Sequence, residues 1–293
     1  MNEKLFSLPV IEQISPYISQ RKMGDLPILV VAHPEVRAAV ALQGAQLIAW
    51  QPSGEQPVIW LSEKTAWTPG KAIRGGVPIC WPWFGPAGEP AHGFARTMPW
   101  TLSAHDENDE SVMLTLVLNS NEQTKKYWPH DFTLFARFRF AGRCEIELEA
   151  HGDFEATAAL HSYFCVADIA GVEVSGLGNS FIDKVNNGTE GRSESGKQTY
   201  PDRTDRIHTQ PEDCSVITDG AGKRALEVHH HYQSDVVTWN PGPALSCSMG
   251  DMANEGYKTM VCVETAHIST PMISAEEAPS RLAATIRVRK AAK

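Results

Sequence analysis

The sequence predicts an all-β protein, a large antiparallel β-sandwich with few short helices, on three observations. Short apolar or alternating runs recur along the chain, separated by proline and glycine. Between Phe132 and Leu148 the alternation is clearest, interrupted by a turn at Ala141-Gly142-Arg143. Apolar spacing at the helical period is hard to find anywhere.

Taken in order, residues 1–25 read as a loosely amphipathic lead-in in which Ser15-Pro16 ends any early helix. A single sandwich domain is expected over 26–293. Its first strands are Ile28 to Ala32, Val36 to Leu42, Gln46 to Gln51 and Val58 to Leu61. Thr101 to Ala104 and Val112 to Leu118 flank the turn-rich Asp106-Glu107-Asn108-Asp109-Glu110, a hairpin signal. Ser120 with Gln123 resembles a capping box for a short helix running to Tyr127, with Pro129 beyond it.

Phe132, Leu134, Ala136, Phe138 and Phe140 then share one face, and Thr133, Arg137 and Arg139 the other. After the turn, Ile146 and Leu148 alternate with Glu145, Glu147 and Glu149, so both arginines can face glutamates across a solvated pair of strands. These basic residues read as structural. Further strands are expected at Thr157 to Val166, Val172 to Ser175, Val216 to Thr218, Ala225 to His230, Val236 to Trp239, Tyr257 to Thr265 and Leu282 to Arg289. The polar stretch Asn186 to Asp213 is too long for an idle loop and is either disordered or functional.

The bulk numbers exclude several functions. A net charge of -9 leaves no basic excess to neutralise phosphates, so nucleic acid is not an expected partner. An anionic substrate would have to be met by a local basic patch. The cysteines at 80, 144, 165, 214, 247 and 262 form no C-x-x-C pair and read as small buried hydrophobes, not as disulfides or zinc ligands. No run approaches membrane-spanning length, and Glu3 and Glu12 break the only apolar stretch near the N-terminus. A cytoplasmic protein with no membrane partner is the default expectation, and a monomer the expected state.

Around Arg74-Gly75-Gly76-Val77-Pro78-Ile79-Cys80-Trp81-Pro82-Trp83-Phe84-Gly85 and His92-Gly93-Phe94-Ala95-Arg96, neither a strand nor a helix suits the sequence. Aromatic rings crowd a run edged by two arginines and a histidine. Such a loop suits a polar ring compound carrying an anion, because sugar faces lie on aromatic rings and guanidinium forks match phosphate. The alternative is a buried connection whose aromatics are core.

His161, among small and apolar residues on an expected strand, is either a core histidine or a general acid or base. His229-His230-His231 reads as a solvated strand end, with metal binding the lesser option. Glu264 interrupts the apolar run Met260-Val261-Cys262-Val263, so its carboxylate is either paired with an arginine or catalytic. Asp205, among arginines in the long polar stretch, reads by itself as a surface ion pair.

Six islands in order resemble the aldose 1-epimerases, or sugar mutarotases, and most closely their hexose-6-phosphate mutarotase branch. They are the Arg74–Gly85 and His92–Arg96 runs, Leu160-His161-Ser162-Tyr163-Phe164, Thr204-Asp205-Arg206-Ile207, Val236-Val237-Thr238-Trp239-Asn240-Pro241 and Tyr257-Lys258-Thr259-Met260-Val261-Cys262-Val263-Glu264. Gly242 departs from the branch, where an aromatic is more usual. The resemblance implies a galactose mutarotase-like supersandwich that uses neither cofactor nor catalytic metal. It also implies anomer exchange on a hexose 6-phosphate, glucose 6-phosphate foremost. His161 would be general acid and Glu264 general base; Arg74, His92 and Asp205 would line the sugar site, and Arg74 with Arg96 would hold the phosphate. The rivals are a noncatalytic carbohydrate-binding sandwich, a glycoside hydrolase using Glu264 and Asp205, and a mutarotase for unphosphorylated aldoses.

Overall fold

A computed structural model describes residues 1–290 and shows three antiparallel sheets. The last three residues of the expected domain lie outside the described residues. A five-stranded meander joins Glu12–Gln13, Ile18–Met23, Leu26–His33, Val36–Ala41 and Gln46–Pro52. One eight-stranded sheet has Ser280–Lys290 and Arg143–His151 at its centre and Thr101–Glu107 at one edge. The other is built around the long strand Met260–Ser274, flanked by Asp235–Asn240 on one side and by Phe154–Leu160 and then Tyr163–Cys165 on the other. Side chains from all three sheets meet in one continuous core that includes Leu29, Leu47, Leu134, Val263 and Leu282.

Alternation explains most of these strands. Leu134, Ala136, Phe138 and Phe140 are buried, while Arg139 lies opposite Glu145 and Arg137 opposite Glu147, as the pattern requires. The arginine–glutamate ladder forms as expected, and Arg137 also reaches Glu149 at 3.0 Å. All six cysteines are free thiols. No helix of the described residues is long and apolar enough to cross a membrane.

Several expectations need correction. The lead-in is not separate from the sandwich. Ile18–Met23 pairs in register with Leu26–His33, and Leu5 of the short helix Asn2–Phe6 is fully buried against the meander. That sheet therefore has two apolar faces, one towards the main core and one covered by the N-terminal helix. Val58 to Leu61 forms isolated bridges instead of a ladder, from Ile59 to Phe164 and from Leu61 to Gly75. The helix Glu122–Tyr127 is capped by Asn121 with Thr124, one residue beyond the expected box. The stretch Asn186 to Asp213 contains two strands, Thr189–Arg192 and Thr204–His208, which join the unforeseen strand Ser180–Asp183 in the sheet of Met260–Ser274. These short, largely polar strands carry little hydrophobic alternation, so nothing in the sequence marks them.

His230 overturns the reading of the triple histidine as a solvated end. It is 3% exposed and sits between the two eight-stranded sheets, Nδ1 to Thr265 Oγ1 at 2.8 Å and Nε2 to Ser215 Oγ at 3.0 Å. Both ring nitrogens are satisfied inside the protein, which is what a buried histidine needs to be purely structural.

Candidate active site

The expected strand Thr157 to Val166 breaks at His161-Ser162, and that break sets the chemistry. Phe154–Leu160 and Tyr163–Cys165 both pair with Met260–Ser274, Leu160 opposite Thr265 and Tyr163 opposite Cys262. The intervening register brings His161 against Glu264. Val261 and Val263 enter the main core, which leaves Cys262 and Glu264 on the other face of the sheet. There His161 Nδ1 lies 3.4 Å from Glu264 Oε1.

Neither group has a satisfactory partner elsewhere. Glu264 is 1% exposed and His161 8%, and both His161 Nδ1 and Glu264 Oε2 lack hydrogen bonds. Burial, reinforced by the charge of Asp205, pushes the Glu264 carboxyl well above its usual range. Burial also pushes the His161 imidazole well down, helped by His92, Arg96 and Arg74. Both shifts favour a neutral pair. A buried, unsatisfied carboxyl costs on the order of a few kcal/mol, so such an arrangement is a functional candidate.

Backbone hydrogen bonds clamp the glycine-rich run onto the broken strand. The His161 N–H donates to Pro78 O at 2.9 Å, the Tyr163 N–H to Gly76 O at 2.9 Å and the Gly76 N–H to Trp60 O at 2.7 Å. Gly76 has φ of +70°, and a Cβ there would stand 2.3 Å from Leu47 O, so only glycine permits the approach. Arg74 is thereby delivered beside the pair. Its Nε donates to Asp251 at 3.0 Å and its Nη1 to the Tyr163 hydroxyl at 3.0 Å. Burial would lower the Arg74 pKa, but Tyr163 and Asp251 outweigh it and hold the guanidinium above its ordinary value.

His92 is fixed by the same loop. Its N–H donates to Gly85 O at 2.8 Å, and Nδ1 accepts from the Gly85 N–H at 3.2 Å. Nδ1 is therefore unprotonated, and the ring presents Nε2–H as a donor. Burial, with Arg96 and Arg74 adding to it, lowers the His92 pKa to about 4, so it is a neutral donor near pH 7.

Arg74, His92, His161, Asp205 and Glu264 all line one cavity of about 420 Å³. Asp205 and Ile207 share a sheet face with Trp239 and Val237 and form part of its wall. Asp205 is half-buried; burial raises its pKa, with Arg203 and Lys184 opposing the rise. Arg96 is the expected site residue that does not line the cavity. Its Nη2 donates to Ala91 O at 2.9 Å, and its Nε is buried without a partner. A larger cleft of about 570 Å³ lies by the N-terminal helix, but its acidic residues Glu3, Glu63 and Glu255 are exposed and its walls largely apolar.

The aromatic surface read from the loop is corrected by packing. Trp81 is fully buried and meets Phe94, Trp128, Phe132 and Phe154 edge-on. Trp83 turns its indole N–H to Pro90 O. Of the run's aromatic side chains only Phe84 reaches the cavity, and Trp239 adds a second apolar ring. Asp251, Tyr163, Trp239 and Lys184 were missed as site residues. Trp239 and Tyr163 did fall within quoted islands, but nothing in their spacing distinguished a cavity wall from core.

Among the described residues a metal would find clustered donors only where His161 and Glu264 meet. Ligand atoms of His161, Cys262 and Glu264 all lie within 4.8 Å of one another. Burial holds the Cys262 thiol and the Glu264 carboxyl well above their ordinary pKa values, which disfavours the deprotonated forms a metal would need.

Comparison with known proteins gives the family and the fold. Residues 27–281 match the family model described as Aldose 1-epimerase. The chain is 60% identical to a Salmonella typhimurium protein provisionally named glucose-6-phosphate 1-epimerase, over 99% of this chain and 100% of that one. It is 58% identical to an Escherichia coli K12 protein of the same name, with the same coverage. A crystal structure from Salmonella typhimurium, provisionally described as a mutarotase, superposes with a TM-score of 0.98 at 60% identity, covering 99% of both chains. Galactose 1-epimerase from Lactobacillus acidophilus, at 12% identity and a TM-score of 0.70 over 98% of this chain and 100% of that one, shares the fold. The chain belongs to the aldose 1-epimerase family, a family of sugar isomerases.

Proposed function

We propose that the protein interconverts the α and β anomers of a hexose 6-phosphate, glucose 6-phosphate foremost, by acid–base ring opening and reclosure. One observation carries the reading: a buried imidazole and a buried carboxyl face each other at 3.4 Å in a sugar-sized cavity, each with an atom left unpartnered. The names of the relatives supply the phosphorylated substrate.

Opening a pyranose requires removal of the anomeric hydroxyl proton and protonation of the ring oxygen. In the cyclic complex Glu264 is ionised and takes the first proton, while His161 is protonated and supplies the second. The result is the open aldehyde, a neutral carboxyl and a neutral imidazole. That is the protonation state which burial favours in the cavity, so the ring-opened complex forms without a separated charge pair. The aldehyde turns about C1–C2, and the same two transfers run in reverse on its other face. His92 offers a neutral N–H to a sugar oxygen, Asp205 accepts from hydroxyls, and Phe84 and Trp239 give the ring apolar contact. Positioned proton transfer by such groups contributes roughly 10²–10⁴-fold.

Exchange NMR between the anomers of glucose 6-phosphate, with free glucose alongside, tests the reading. Acceleration of the phosphorylated sugar is expected. Equal acceleration of both sugars would leave an aldose mutarotase without phosphate selectivity, and acceleration of neither would leave a noncatalytic sugar-binding sandwich.

A further inference from the structure

The two members of the proposed acid–base pair are held differently. Glu264 is rooted in the long central strand Met260–Ser274, whereas His161 sits in the break between two short ones. No hydrogen bond among the described residues fixes the imidazole: Nδ1 is buried without a partner, and Glu264 Oε1 stands off at 3.4 Å.

Aromatic rings fix it instead. Tyr163, two residues along, lies almost parallel to the imidazole, with centroids 4.9 Å apart and an angle of 11° between the planes. Behind it, Trp60 lies almost parallel to Tyr163, at 5.8 Å and 17°. His92 and Trp239 meet the imidazole edge-on at 5.6 Å and 6.1 Å. Turning the imidazole about its Cβ–Cγ bond would drive an edge into the tyrosine face, so the stack sets the plane in which Nδ1 meets Glu264.

The stack is itself anchored. The Trp60 backbone N–H donates to Tyr163 O at 3.0 Å, and its indole N–H to Thr259 Oγ1 at 3.1 Å. The Tyr163 hydroxyl accepts from Arg74, which Asp251 holds at 3.0 Å. Trp60 and Tyr163 belong to a small apolar cluster with Met252, Met260 and Cys262, apart from the main core. Tyr163 is 2% exposed and lies outside the cavity lining, so it does not meet the sugar. Its ring face also favours the imidazolium that ring opening needs, because a cation is attracted to an aromatic face.

We propose that Tyr163, backed by Trp60, is a positioning residue whose ring holds the His161 imidazole in line with Glu264. The proposal rests on the anomer-exchange reading above, and two measurements separate them. Exchange NMR on glucose 6-phosphate gives kcat and KM; proton–nitrogen correlation of the imidazole reports whether His161 keeps one ring orientation. Tyr163→Leu should lower kcat roughly 10²-fold with KM within about twofold, as for a proton donor displaced by about 1 Å. Its His161 ring signals should split or broaden. Tyr163→Phe keeps the stack but frees Arg74, so kcat should stay within about threefold, KM should rise about threefold and the His161 signals should remain a single set. Trp60→Leu leaves Tyr163 in place but unbacked and should lower kcat about tenfold. It takes the same readings should Tyr163→Leu fail to fold.

A kcat within twofold of the wild type in Tyr163→Leu and Trp60→Leu would overturn the positioning role and leave the reaction standing. Equal losses in Tyr163→Leu and Tyr163→Phe would also overturn it, since the second retains the stack. In a protein that does not speed anomer exchange, split His161 signals in Tyr163→Leu beside a single set in Tyr163→Phe would support the positioning and remove the reaction. A single set in both would overturn the positioning as well.

Discussion

Glu149 and Glu264 are both buried glutamates on interior strands, 5% and 1% exposed, and their surroundings differ completely. Burial tends to raise the Glu149 pKa, but His151, Arg137 and Arg281 donate to its two oxygens and hold it at about 2. Glu264 has only His161 at 3.4 Å and an oxygen with no partner, and its pKa is driven up. The same side chain is a structural anchor in one place and, in the proposed reaction, a proton carrier in the other. The difference lies in how many donors the fold aims at it.

Substitution with glutamine sharpens that contrast most. Glu264→Gln should reduce anomer exchange roughly 10²–10⁴-fold without lowering the melting temperature, because it removes a titrating group that has no stabilising partner. A parallel loss of stability and activity would make Glu264 a structural residue like Glu149. The pH profile of kcat/KM comes next in size. The His161–Glu264 pair holds one proton between an imidazole with a lowered pKa and a carboxyl with a raised one. Activity should be flat through neutrality, fall in acid as a second proton binds, and fall in alkali as the first is lost. A single sharp titration near pH 6.5 would show that His161 acts without Glu264.

Glu149→Gln should do the reverse of Glu264→Gln. It leaves kcat intact and lowers stability to urea by about 2 kcal/mol, since Arg137 and Arg281 lose their charged partner. The wild-type contribution is fully present above the unfolded pKa of 4.5 and is lost as pH falls towards 2. Equal stability of Glu149→Gln and wild type at pH 7 would show the ladder to be inert.

The smallest effect concerns His230, the satisfied counterpart of His161. Burial, with His231 and His229 adding to it, lowers its pKa to about 3 from 6.5. Below pH 6.5 the unfolded chain takes a proton that the folded His230 refuses, so stability falls by about 1.4 kcal/mol per pH unit towards pH 3. His230→Gln should flatten that part of the stability–pH curve, as followed by denaturant titration; an unchanged slope would assign the acid sensitivity elsewhere.

Much of this was legible in the sequence. Alternation alone places Phe132 to Phe140 and its glutamate-facing arginines, because side chains on one strand must take opposite faces in turn. The islands around Arg74, His92, His161, Asp205 and Glu264 locate five residues that the fold gathers into one cavity. Local pattern cannot say which face becomes core or which loop side chain turns inward. Those choices follow from register across distant strands and from the left-handed turns of the glycine-rich loop. Tertiary structure alone therefore sent Trp81 to the core and set Trp239 and Lys184 into the cavity lining. It also satisfied His230 while leaving His161 open to Glu264. The sequence by itself determined which residues could carry protons; long-range strand pairing decided which of them were left without other partners.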